Sequence, residues 1–67
     1  MDVDQLQQEY DSLLHTYERL IALLDEDMAT PGQPQLCLNK FQLLRDYLDA
    51  ERQSVVLQYG PAFGHPA

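Results

Sequence analysis

From Val3 to Leu24 the apolar side chains fall at Val3, Leu6, Tyr10, Leu13, Tyr17, Leu20 and Leu24, at alternating intervals of three and four residues. That spacing is the a/d pattern of a helix packed along one seam, and it predicts a helix over about residues 3–29. Asp4 with Gln7, or Asp2 with Gln5, offers a capping pair at its start. Beside the seam a second line, Leu14, Ile21 and Met28, widens the apolar stripe beyond what one partner helix can cover.

"TPGQP" at residues 30–34 interrupts the pattern. Pro31 disfavours helical geometry at Thr30, Gly32 tolerates the turn, and Pro34 suits the first turn of a new helix. Asn39 with Gln42 is a later capping pair, and the preferred start is residue 34 or 35. The pattern then resumes through Cys37, Phe41, Leu44, Leu48, Glu51 and Val55, predicting a second helix over about 35–59.

Folded back on itself, the chain places residue i opposite 61 − i. Leu24 then meets Cys37, Leu20 meets Phe41, Tyr17 meets Leu44, Leu13 meets Leu48 and Leu6 meets Val55. Glu51, the one misfit, faces Tyr10, whose phenol can donate a hydrogen bond to the carboxylate. The expected hairpin seam is thus Leu6, Tyr10, Leu13, Tyr17, Leu20, Leu24, Cys37, Phe41, Leu44, Leu48 and Val55. Leu14, Ile21, Met28, Leu43 and Tyr47 remain uncovered and are the expected dimer or partner interface. The architecture expected is all-α: a two-helix antiparallel hairpin over residues 1–59, completed as a four-helix bundle by dimerisation. "GPAFGHPA", residues 60–67, reads as a flexible tail.

Size makes the uncovered line matter. Sixty-seven residues bury too little surface for comfortable stability without disulfides, metal or association. A single cysteine, Cys37, excludes an internal disulfide and a cysteine-based zinc set, so unusually regular helix packing and association remain. Cys37 falls on the inward stripe and reads as a packed thiol. A lone thiol and a start, "MDVDQLQQEY", with neither a basic nor a long apolar run fit a cytoplasmic protein. No segment has the length and apolarity of a membrane span.

A net charge of −7 argues against nucleic acid or an anionic membrane as partner, because both are bound through clustered Lys and Arg. Arg19, Lys40, Arg45 and Arg52 are scattered singly. Asp25, Glu26 and Asp27 fan out around a helix at about 100° intervals and cannot converge on one ion. They read as a solvated helix end, or as an acidic tip contacting a basic partner. His15 lies on the polar face and His65 in the tail, neither beside a nucleophile or second ligand. No catalytic, cofactor-binding or metal residue is expected.

In layout the chain resembles the small acidic hairpins that dimerise into four-helix bundles, such as the Rop-type plasmid copy-number regulators, a resemblance that implies RNA binding through a bundle face. It is similar in length and layout to the YscE-type co-chaperones of type III secretion, which implies holding a partner through an exposed apolar face. Neither resemblance rests on matched residues. The function expected is a non-enzymatic cytoplasmic adaptor or regulator acting by helix-mediated protein binding as a homodimer. A co-chaperone of a secretion or flagellar system and a Rop-like RNA binder are the alternatives.

Overall fold

The computed structural model describes residues 2–63, which form two long helices, α1 (Val3–Ala29) and α2 (Gln35–Tyr59), and a 3-10 turn at Gly60–Phe63. The hairpin is a rod of 48 × 17 × 17 Å with a radius of gyration of 14.9 Å. A compact chain of this length would have roughly 11 Å.

Local chemistry sets each helix end. Asp2 caps α1, its carboxylate accepting from the Asp4 N–H at 3.1 Å while its carbonyl accepts from Leu6 N–H. At the other end, carbonyls that lack helical partners are met locally. Thr30 donates its N–H to the Asp27 carbonyl and its hydroxyl to that of Glu26, both at 3.2 Å, and the Gln33 amide also donates to Asp27. Gly32 then turns the chain at φ 86°, in the left-handed region that favours glycine. Pro34 caps α2 from an extended conformation and so stands just outside the helix, not in its first turn. Asn39 lies inside α2, accepting from the Gln35 amide at 3.0 Å.

The buried line of α1 differs from the expected seam. It runs through Leu6, Tyr10, Leu14, Tyr17, Ile21, Leu24 and Met28, of which Tyr10 (5% exposed) and Ile21 (9%) are the most buried. Leu13 and Leu20, expected in the seam, are 41% and 42% exposed, whereas Leu14, Ile21 and Met28, expected on the outer interface, lie inside. Leu13 and Leu20 thus give up their inward places to Leu14, Ile21 and Met28, while Leu6, Tyr10, Tyr17 and Leu24 lie inside as expected. A 3.5-residue repeat drifts by about 20° per heptad around a straight 3.6-residue helix, so the inward line of a short rod must step from one heptad row to the next.

On α2 the inward line is Phe41, Arg45, Leu48, Arg52 and Val55, all half-buried, with Cys37 and Leu38 at its start. Leu44, also expected in the seam, is 52% exposed, and arginine stems occupy the intervening inward positions. The helices flank the turn at Ala29 and Gln35, and the residues that meet across them, Asp25 with Arg45 and Tyr10 with Val55 and Tyr59 around one cleft, lie several residues beyond the expected pairing of i with 61 − i. Glu51 does not line the cleft that Tyr10 shares with Val55 and Tyr59. Glu51 is half-buried and makes no hydrogen bond or ion pair among the described residues, so the expected bond from Tyr10 is not formed.

The expected tail begins as structure. Gly60 is buried, its N–H donates to the Val56 carbonyl, and the turn after it carries Phe63 back onto Tyr10 with ring centroids 5.2 Å apart at 70°. The rest of that expected tail, with His65, lies outside the described residues.

Candidate functional site

At about 100° per residue, Leu13 and Leu20 lie roughly 55–75° to one side of the buried line of α1, and Glu18 and Asp25 about as far to the other. On α2, Leu44 lies to the side that holds Leu13 and Leu20, with Tyr47 and Glu51 beyond it, while Asp49 lies opposite. The rod therefore has two unlike broad sides.

One side carries the two ion pairs found among the described residues. Arg45 crosses from α2 to Asp25 of α1, Nε to Oδ1, at 2.7 Å. Asp49 accepts from Arg52 at 3.2 Å and from the Gln53 amide at 3.1 Å. Glu18, Ile21 and Ala22 complete the shallow concavity around these groups. The hydrogen bond to Asp25, and then its negative charge, raise the Arg45 pKa above the ordinary arginine value.

The other side is apolar and uncovered. Leu13, Leu20 and Leu44 are exposed, as is Tyr47 at 63%, and half-buried Leu6, Leu24, Cys37 and Val55 border them. Near the open end this side deepens into a cleft of about 340 Å³ lined by Leu6, Glu9, Tyr10, Leu13, Val55, Tyr59 and Phe63. Lys40 and Glu51 interrupt the stripe on α2, and neither is ion-paired among the described residues. Accessible surface reflects this exposure: 5054 Å², against about 4,300 Å² for a compact monomer of 7.7 kDa.

The remaining expected residues are placed as follows. Leu43 is exposed at 63%, on the outer side of α2 beyond Tyr47. Asp25, Glu26 and Asp27 are all exposed, but among the described residues only the Asp25 carboxylate engages another side chain, and that partner is internal. Cys37 is a free, half-buried thiol and His15 is exposed. Among the described residues no three His, Cys, Asp or Glu side chains come together as metal ligands, and no helix is long and apolar enough to cross a membrane.

Two contacts escaped the sequence reading. Arg45 and Arg52 stand on the same three-and-four spacing as Phe41, Leu48 and Val55, a signal that could have placed their stems inward. Phe63 carried no comparable signal, because it meets Tyr10 through a fold-back after Gly60–Pro61.

Compared with known protein families, curated proteins and solved structures, the chain finds no match. Its function is argued from this geometry.

Proposed function

We propose that the chain is a non-enzymatic protein-binding hairpin, a small cytoplasmic adaptor or regulator that acts as a homodimer by packing its apolar side on a second copy in a four-helix bundle. The observation that carries this reading is the exposed row Leu13, Leu20, Leu44 and Tyr47 on one broad side of a rod whose opposite side carries the two ion pairs found among the described residues. A contiguous apolar patch rimmed by polar groups marks a surface that another surface covers, and two helices alone leave half of a bundle core unfilled.

Charge supports protein over RNA as the partner. Arg45 and Arg52, the basic side chains on which an RNA-binding reading would rest, are engaged by Asp25 and Asp49. The apolar cleft, lined by Leu6, Tyr10, Leu13, Val55, Tyr59 and Phe63 around one carboxylate, Glu9, sets no nucleophile beside a base, which favours binding over catalysis.

The test replaces Leu13, Leu20 and Leu44 by serine together. The expected result is loss of the dimer in light scattering with helical circular dichroism retained at high protein concentration. A triple variant that dimerises like the parent overturns the reading.

A further inference from the structure

The proposed homodimer leaves its arrangement open, and the apolar side carries a pattern that selects one. Lys40 and Glu51 both project from this side of α2, bracketing Leu44 and Tyr47. Lys40 is exposed and Glu51 half-buried, and neither has a charged partner within its own chain among the described residues. A half-buried carboxylate on an apolar face is costly unless a cation or donor meets it there.

Positions along α2 share one centre. The midpoint between Lys40 and Glu51 is position 45.5, and so is the midpoint between Leu44 and Tyr47. A single two-fold axis through that height, perpendicular to the helices, relates both pairs at once.

Resting on the dimer reading above, we propose that the apolar side takes a second copy of this chain with the two turns at opposite ends, Lys40 of each copy pairing with Glu51 of the other. The same axis sets Leu44 against the partner's Tyr47, so apolar meets apolar and the two unmatched charges are matched twice. Isologous contact of this kind is the usual form of a two-fold interface. The alternative, with both turns at one end, places α1 against α2 of the other copy. There Lys40 and Glu51 of each copy face the partner's α1, whose exposed apolar row is Leu13 and Leu20, and the two charges do not meet.

The test uses two full-length variants, Lys40→Glu and Glu51→Lys, alone and mixed, with mass read by light scattering and folding by circular dichroism. In the proposed arrangement each variant alone puts like charges face to face at both contacts, and its dimer dissociation constant rises roughly tenfold or more. An equimolar mixture restores both attractions, so a one-to-one heterodimer forms at concentrations where each variant alone is monomeric. Recovery on mixing also shows that neither variant is misfolded. If the parent dimerises but mixing recovers nothing, or each variant dimerises as the parent does, this arrangement is wrong and the dimer reading stands. If the parent itself is monomeric throughout, both fall.

Discussion

Tyr10 near the start of α1 and Phe63 after the end of α2 meet edge to face, 5.2 Å between ring centroids, and so tie the two chain ends together. Tyr10 is 5% exposed, and Phe63 is half-buried beside it. In a rod with so few buried side chains, this contact holds the open end of the hairpin where the turn cannot reach. Phe63→Ala should destabilise the fold by about 1–2 kcal/mol, below the full cost of emptying a core site because Phe63 is half-buried. Urea unfolding at fixed protein concentration measures it, and unchanged stability would mean that the 3-10 turn does not clamp the ends.

Ile21 and Leu20 are adjacent in sequence and opposite in role, with exposures of 9% and 42%. Ile21→Ala should cost about 2–4 kcal/mol and lower stability similarly at every protein concentration. Leu20→Ala should act chiefly on association, so that its effect shrinks as protein concentration rises. Denaturation curves at two concentrations separate the cases, and equal concentration dependence for both variants would contradict the exchange of Leu20 for Ile21 on the inward line.

That exchange marks how much of the molecule the heptads make legible. Alternating intervals of three and four, broken once at residues 30–34, are enough to read two antiparallel helices. They do not settle which of two neighbouring rows points inward, because Leu13–Leu20 and Leu14–Ile21–Met28 are equally apolar. The choice depends on how a straight helix drifts against a seven-residue repeat, and on where the partner helix stands. Register turns on where the chain folds back, and helices that end at Ala29 and resume at Gln35 centre the turn on Gly32 and not on Thr30 and Pro31 as expected. The candidate surface was legible as an excess of apolar residues; its composition was not.

Gly32 has φ 86°, and a Cβ built there would meet nothing within 4 Å. Gly32→Ala should therefore cost only the backbone strain of a left-handed residue, about 1–2 kcal/mol, with the helical content of the folded state unchanged. Thermal unfolding checks this, and a much larger loss would mean that the turn is packed against a surface in solution.

Arg45 and Asp25 are joined at 2.7 Å on a partly exposed side of the rod. Raised above its ordinary value, the Arg45 pKa makes a contribution to stability that is fully present below the unfolded arginine pKa and is lost only as pH rises through the folded one. Arg45 itself should therefore produce no change in stability between about pH 6 and 10. The pair should respond to salt instead, since exposed pairs are screened. Comparing the parent with Arg45→Gln across that pH range tests the point, and a difference that varies with pH there would contradict it.

A second copy closes the uncovered side, with Leu13, Leu20, Leu44 and Tyr47, if the proposed function holds. The mass of the purified chain in solution decides this, by size exclusion with light scattering over a hundredfold range of concentration. Twice the 7.7 kDa chain mass is expected at the upper end, and a mass of one chain across the whole range would overturn the homodimer.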